Sequence, residues 1–296
     1  MKPRDLFDLL LIGAIWGGAF PLLRVAAPAF GPVALIGVRV AVAAAVLLAL
    51  LKSPGRLVQH ARPLFVLAMM NTAIPFTLFA YATLGITAGT ASLLNATTPM
   101  FGAILAFAVL GERLTGLQVF GIGLGFAGIA SIVWKEIGTQ ADAAALSVAA
   151  GLVGAALYGA AATYARRRLD GVDPMVVATG SVVGSALVMV PAAVLAWPQQ
   201  NPGADAWGSA IGLGVFCTAL AYLLYFRLLP RVGAARAVTV TFLIPVFGIL
   251  WSAALLGEPL TGALLLGCAV VLVGTALAMG LRPRPASTPG SDAASR

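Results

Sequence analysis

Ten long apolar segments constrain this chain more than any other feature of its sequence. A helix needs roughly 20 apolar residues to cross the hydrocarbon core of a bilayer. Of the 296 residues, 60% are apolar and 9% are charged, whereas soluble proteins carry about 25% charged residues. The segments span about residues 6–26, 32–51, 63–83, 88–109, 116–134, 144–165, 174–196, 206–229, 234–256 and 261–281. The sequence therefore predicts an all-α membrane protein with ten transmembrane helices.

The positive charges predict how this chain is oriented. With the N-terminus in the cytoplasm, 15 of the 18 Lys and Arg residues fall in cytoplasmic segments. Only Arg24 and Lys135 lie on the outer side, and Arg39 lies inside a span. Lys and Arg are enriched in cytoplasmic loops of membrane proteins. Both termini are therefore expected in the cytoplasm.

An internal repeat divides the chain into two halves. Twelve of the 30 positions in 99–128 are identical 146 residues later, in 245–274, including the Gly-Glu-x-Leu-Thr-Gly that begins at Gly111 and Gly257. A weaker match at a spacing of 142 relates Trp16 to Tyr158. Each copy holds five helices, and because five is odd the second copy must enter the membrane from the opposite side. We expect inverted repeats at residues 1–139 and 140–281, followed by a disordered cytoplasmic tail at 282–296.

Three motifs resemble one known family. They are Ile15-Trp16-Gly17-Gly18-Ala19-Phe20-Pro21, then Val38-Arg39-Val40, and the paired Gly-Glu-x-Leu-Thr segments beginning at Gly111 and Gly257. Together they resemble the ten-helix, EamA-type members of the drug/metabolite transporter superfamily. The resemblance implies a bacterial inner-membrane transporter that exports amino acids or related small metabolites. A carrier of drugs, nucleotides or sugar derivatives with the same fold stays open, as does a channel.

Inverted repeats are typical of secondary transporters, whose substrate site lies near the bilayer midplane between the halves. Trp16 and Tyr158 are related by the repeat, and each lies near the middle of its helix rather than in an interfacial aromatic belt. We therefore predict that both contact substrate in a central cavity. Packing against neighbouring helices is the alternative.

Polar residues on the third and fourth segments are further candidates for substrate contact. Asn71, Tyr81 and Asn95 lie within these segments, and Ser92, Asn95 and Thr98 recur every three residues on one broad helix side. Amides avoid lipid, so they face either the cavity or another helix through hydrogen bonds. Neutral groups of this kind suit a zwitterion or a small polar metabolite.

Arg39 lies about 8 residues into the second segment, or roughly 12 Å from its outer end at 1.5 Å per residue. A charge at that depth is a candidate for function. It could hold a substrate carboxylate, bond backbone carbonyls, or extend outward to the interface. Glu112 and Glu258 are expected in helix-ending turns, and we assign them no part in transport.

Several functions lack the residues they require. The chain has no P-loop motif. Its one histidine, His60, lies in a connector. Since zinc and serine sites normally need a histidine, neither can be assembled within the spans. We expect no enzyme activity, no cofactor, no metal and no nucleic-acid partner. No Asp or Glu lies deep in a span, which favours a facilitative carrier over a proton-coupled one. We expect a monomer in the lipid bilayer with a small-molecule substrate.

Overall fold

The computed structural model describes residues 2–136 and 141–280, and within these residues the regular structure is helical without strands. Eight helices are long and apolar enough to span a membrane, and two shorter apolar helices of 17 residues follow. We number them α1 (Pro3–Phe30), α2 (Pro32–Leu50), α3 (Ala61–Gly85), α4 (Ala88–Leu110), α5 (Gly116–Glu136), α6 (Ala141–Arg168), α7 (Pro174–Leu195), α8 (Ala204–Val232), α9 (Val240–Leu256) and α10 (Gly262–Ala278). The ten-helix membrane fold is confirmed. The tail at 282–296 lies outside the described residues.

The helix ends follow the local chemistry of the sequence. Gly111 and Gly257 end α4 and α9 with φ of 72° and 67°, a left-handed conformation that glycine adopts without steric cost. Thr261 caps α10 by accepting a hydrogen bond from the backbone N–H of Leu264 at 3.2 Å. The turn structure expected around the two Gly-Glu motifs is therefore present.

Four helices are interrupted near their middle. Gly18 separates two parts of α1, and a turn at Ala96 and Thr97 separates two parts of α4. Helices α3 and α8 each contain a π-helical turn, at Met69–Ala73 and Val215–Leu220, which begin 146 residues apart. The interruptions were not expected from the apolar pattern. Wide π-turns re-aim side chains and are frequent at functional sites.

The two halves of the sequence interleave in space. Helix α1 packs against α8 and α9 of the second half, and α6 packs correspondingly against α3 and α4 of the first. Helix α2 pairs with α7, and α5 pairs with α10. Each contact has a counterpart related by the repeat, as an inverted pair requires. We call α1, α8 and α9 the α1/α8/α9 unit, and α3, α4 and α6 the α3/α4/α6 unit.

Glycine pairs allow the closest helix contacts inside the two units. A Cβ atom at Gly17 would lie 2.7 Å from the backbone nitrogen of Gly248 on α9. At the repeat-related Gly159, a Cβ would lie 2.7 Å from the backbone nitrogen of Gly102 on α4. Small residues permit such close approach of membrane helices. The helices inside each unit are therefore packed through backbone contacts that are equivalent in the two units.

Candidate functional site

A cavity of about 410 Å³ lies between the two units. Its walls come from α1, α2, α3, α4, α6, α7, α8 and α9, and from the turn that precedes α9. Five of the six residues predicted to contact substrate line it, namely Trp16, Arg39, Asn71, Asn95 and Tyr158. Its volume lies in the usual range for small-molecule sites. The helix interruptions described above lie beside it.

One wall of the cavity is an aromatic cluster on the α1/α8/α9 unit. The ring of Trp16 lies 6.4 Å from that of Tyr222 and 5.4 Å from that of Tyr225, measured between centroids. Tyr222 and Tyr225 are three residues apart on α8, directly after its π-turn, so both rings face the same way. The cluster presents ring faces and edges and two hydroxyl groups.

The opposite wall is the repeat-related cluster on the α3/α4/α6 unit. The ring of Tyr158 lies 6.5 Å from that of Phe76 and is stacked on that of Phe79 at 5.8 Å. Phe76 and Phe79 occupy the positions 146 residues before the two tyrosines of α8, and likewise follow a π-turn. The cavity is therefore bounded by two aromatic clusters with the same arrangement.

Arg39 enters the cavity from α2 and is 5% exposed. Its Nε–H donates to Thr218 Oγ1 at 3.0 Å, and Thr218 in turn donates to the carbonyl of Leu213 at 2.9 Å within the π-turn region of α8. The guanidinium carbon lies 3.7 Å from the centre of the Phe76 ring, a cation–π distance. The side chain is thus held at its Nε and its flat face, and no carbonyl of residues 2–136 or 141–280 accepts a hydrogen bond from it.

The second half of the chain carries the same contact without the charge. Ser181 is the residue 142 positions after Arg39, and its hydroxyl lies 2.7 Å from that of Thr72, the counterpart of Thr218. Both contacts join a helix of the α2–α7 pair to a π-turn. Among the described residues that line the cavity, Arg39 alone is charged. The site therefore carries one cation on one of two repeat-related contacts.

Neutral polar groups complete the lining. Asn71 lies in the π-turn of α3, and Asn95 and Thr241 are repeat-related residues on either side of the cavity. Thr98 lies one helical turn after Asn95, and its buried hydroxyl has no hydrogen-bond partner among the described residues. These groups offer both donors and acceptors to a bound molecule.

Two polar residues of the predicted set lie elsewhere. Tyr81 is 40% exposed and is absent from the lining, because it follows Phe79 by two residues and so lies about 200° around the helix. Ser92 is fully buried, and its hydroxyl donates to the carbonyl of Gly89 at 2.7 Å while the side chain packs on Gly248. The side chain therefore contacts α9 by packing, and its hydroxyl bonds within α4 rather than to another helix as the alternative predicted.

Sequence reasoning missed the four aromatic residues that surround Trp16 and Tyr158. A signal existed for them, since Phe76 and Phe79 recur as Tyr222 and Tyr225 at the same spacing of 146 as the stronger repeat. The π-turns that aim them into the cavity leave no mark in hydropathy.

The cavity extends toward the cytoplasmic ends of the helices. Val177, near the cytoplasmic start of α7, and Val238, just before α9, both line it and are partly exposed. Their repeat-related counterparts on the outer side, Leu35 and Ser92, are fully buried. Since the two halves are equivalent in sequence position, this difference means that the cavity is less covered on the side predicted to be cytoplasmic.

No group of three or more His, Cys, Asp or Glu side chains that could hold a metal ion occurs in residues 2–136 and 141–280. The site consists of apolar, aromatic and neutral polar groups with one arginine. Ten apolar helices in two interleaved halves that enclose a cavity have the architecture of a multi-pass membrane transporter.

The chain belongs to the EamA-like transporter family, whose model matches it twice, over residues 6–134 and 145–280. The two matches correspond to the two halves. The division at residues 139 and 140 stays a prediction. Membership confirms the predicted resemblance and the location in the inner membrane.

Two named relatives are similar to this chain along nearly their whole length. The chain is 29% identical to a probable terminal-alkyne amino-acid exporter of Streptantibioticus cattleyicolor, covering 97% of this chain and 98% of that protein. It is 26% identical to a probable amino-acid metabolite efflux pump of Escherichia coli, covering 98% and 100%. A solved crystal structure superposes with a TM-score of 0.66 at 18% identity, covering 95% of this chain and 98% of the other. That structure supports the fold alone.

Proposed function

We propose that this transporter exports amino acids, or related small metabolites that carry a carboxylate, by alternating access through the central cavity. The observation that carries the proposal is the cation Arg39 in the wall of a cavity of about 410 Å³ whose described lining holds no acidic residue. The names of the amino-acid exporters to which the chain is similar support the same cargo.

The buried charge of Arg39 favours an anionic group on the substrate. Removing a cation from water is costly unless a counter-ion or hydrogen bonds replace its hydration. Thr218 satisfies the Nε–H, and the Phe76 ring covers one face of the guanidinium. The two terminal NH₂ groups of Arg39 have no hydrogen-bond partner among the described residues. A carboxylate matches this planar pair of donors and would receive two parallel hydrogen bonds.

The remaining lining suits the rest of an amino acid. An ammonium group is attracted to aromatic faces, which Trp16, Tyr222 and Tyr225 provide. The amides of Asn71 and Asn95 offer neutral hydrogen-bonding groups. An apolar side chain would lie between the two aromatic clusters.

We further propose that transport is facilitative. Proton-coupled carriers commonly use carboxylates inside the membrane. The described Asp and Glu side chains lie at helix ends or in connectors, including Asp5 and Asp8, which pair with Arg231 near the cytoplasmic side. None of them lines the cavity.

Counterflow in proteoliposomes tests the substrate class. We expect a zwitterionic amino acid loaded inside to drive uptake of the labelled compound, and its decarboxylated amine to fail to compete. Analogues that keep the carboxylate but lack the amino group should compete with reduced affinity. Nucleosides and neutral sugars serve as the comparison set. Competition by the amine equal to that of the amino acid would contradict a carboxylate-binding role for Arg39.

A further inference from the structure

Glu258 joins the two units on the side of the molecule predicted to face outward. It lies in the connector after α9, and its carboxylate oxygens accept hydrogen bonds from the backbone N–H groups of Ala88 and Gly89 at 2.8 and 3.1 Å. These N–H groups begin α4, where the helix dipole also favours a negative charge. The contact therefore ties the α1/α8/α9 unit to the α3/α4/α6 unit at the outer surface.

Arg24 makes a second contact between the units on the same side. It lies on the outer half of α1, and its Nη1 donates to the carbonyls of Thr83, Leu84 and Ile86, the last two at 3.2 and 3.3 Å. These carbonyls end α3, where the dipole favours a positive charge. Arg24 and Glu258 therefore both bind helix ends of the α3/α4/α6 unit on the predicted outer side.

The repeat-related charges on the inner side are arranged differently. Arg166 is the residue 142 positions after Arg24, and Glu112 is the residue 146 positions before Glu258. These two side chains form an ion pair at 2.7 Å and are 62% and 50% exposed. Since α6 and the connector after α4 belong to the same side of the cavity, this pair does not join the two units.

The structure assigns Arg24, Glu258, Arg166 and Glu112 to a partner exchange that alternates access to the cavity, and this replaces the sequence-based view that the two glutamates have no part in transport. In the inward-open state described here, the outer residues bind backbone groups of the opposite unit and the inner residues bind each other. In the outward-open state the roles reverse. Arg166 then binds the carbonyls that end α8, and Glu112 binds the backbone N–H groups that follow Gly233, while Arg24 pairs with Glu258. The inference rests on the proposed function, because alternating access requires two such states.

The exchange has a physical advantage for a carrier. In each state one pair of charges binds helix ends and the other pair is mutually satisfied, so no charge is left without a partner in either. Arg24 and Glu258 are only partly exposed, so leaving either of them without a partner would disfavour that state. Two states of nearly equal free energy can both be populated and be shifted by a ligand.

Distance measurements between spin labels test the exchange without any substrate. Leu84 and Leu260 lie at the outer ends of the two units and are 40% and 48% exposed. Arg167 and Arg227 lie exposed at the inner ends. One pair of labels is introduced at each end, in a chain whose native cysteines are replaced (Cys217→Ala and Cys268→Ala). Opening to the outside should lengthen the outer distance and shorten the inner distance.

Paired substitutions should move the two distances in opposite directions. Arg24→Gln with Glu258→Gln removes the outer closure, and we expect the outward-open fraction to rise about tenfold or more, which corresponds to about 1.4 kcal/mol. Arg166→Gln with Glu112→Gln removes the groups that close the inner side, and we expect the outward-open fraction to fall to the detection limit. The second variant changes half-exposed side chains, so it remains informative if the first fails to fold.

A control variant and two contrary outcomes complete the test. Arg168→Gln with Asp170→Asn neutralises exposed charges near the same helix end and should leave both distance distributions unchanged. Distances that stay at wild-type values in a folded outer variant, or that shift in the same direction in both variants, would overturn the exchange. Because no substrate is added, this result is independent of the counterflow test. A carrier that fails to move amino acids could still exchange these partners, and a carrier that moves amino acids could do so without the exchange.

Discussion

Arg39 and Ser181 occupy repeat-related positions on α2 and α7, and each bonds the repeat-related threonine on a π-turn. Arg39 donates to Thr218 at 3.0 Å, and Ser181 lies 2.7 Å from the hydroxyl of Thr72. One frame therefore carries a charge on one side and a hydroxyl on the other. An inverted repeat supplies two equivalent backbone frames, and the charge at Arg39 makes the two sides of the described lining electrostatically different.

Replacing the cavity charge should weaken binding while leaving the fold intact. We expect Arg39→Gln to raise the KM for an amino acid roughly 10- to 150-fold, because a hydrogen-bonded charge contributes about 1.5–3 kcal/mol. Arg39→Lys keeps the charge but loses the paired donors, so its effect should be smaller. The measurement is initial-rate counterflow in proteoliposomes. A variant that fails to fold would instead assign Arg39 to structure.

Removing the support of Arg39 should reduce affinity through its position. We expect Thr218→Val to raise the KM several-fold, because Nε of the buried guanidinium then lacks the partner it has at 3.0 Å. Thr72→Val breaks the repeat-related hydrogen bond at 2.7 Å and is the matched control. Both variants should lose similar thermal stability in detergent. Equal KM changes in the two would contradict the positioning role of Thr218.

The two central aromatic residues should be needed for transport. Trp16→Ala and Tyr158→Ala each remove a ring that contacts two others in the cavity wall, at a cost of about 0.5–1.5 kcal/mol per ring pair. We expect lower flux in liposomes with folded protein recovered in normal yield. Trp134→Ala, at a residue 84% exposed, serves as the control. Unchanged flux in both cavity variants would exclude the two rings from the site.

The glycine contacts within the units should be intolerant of a methyl group. We expect Gly17→Ala and Gly159→Ala each to destabilise the protein by about 1–3 kcal/mol, because the new Cβ would lie 2.7 Å from a backbone nitrogen of the neighbouring helix. Gly123→Ala is the control, since its Cβ would meet nothing within 4 Å. Thermal unfolding in detergent measures the difference. A higher unfolding temperature for all three would show that helix propensity outweighs packing.

A pH gradient should not drive accumulation of substrate. The described lining of the cavity holds no carboxylate or histidine that could carry a proton across. We expect the purified protein to equilibrate an amino acid across liposomes at the same final level with and without an imposed gradient. Uphill accumulation that collapses with a protonophore would contradict facilitative transport.

Hydropathy and charge placement were enough to predict the membrane fold. Apolar segments of about 20 residues have one stable form in lipid, because the backbone must bond internally. The repeat in 99–128 and 245–274 could be detected in the sequence because both copies need a glycine, Gly111 or Gly257, in the left-handed conformation that ends a helix. Trp16 and Tyr158 could be singled out from the sequence because they are aromatic residues 142 positions apart, each near the middle of its predicted helix.

Tertiary structure alone decided which side chains meet. Asn71 and Tyr81 were equivalent candidates in the sequence. The π-turn at Met69–Ala73 places Asn71 in the cavity, and the helical period places Tyr81 on the surface. The matching motifs around Glu258 and Glu112 likewise could not predict that the two glutamates have different partners, because those partners lie on helices distant in sequence. Local sequence determines a helix and its ends, whereas the state of a carrier depends on which of two equivalent sets of long-range contacts is made.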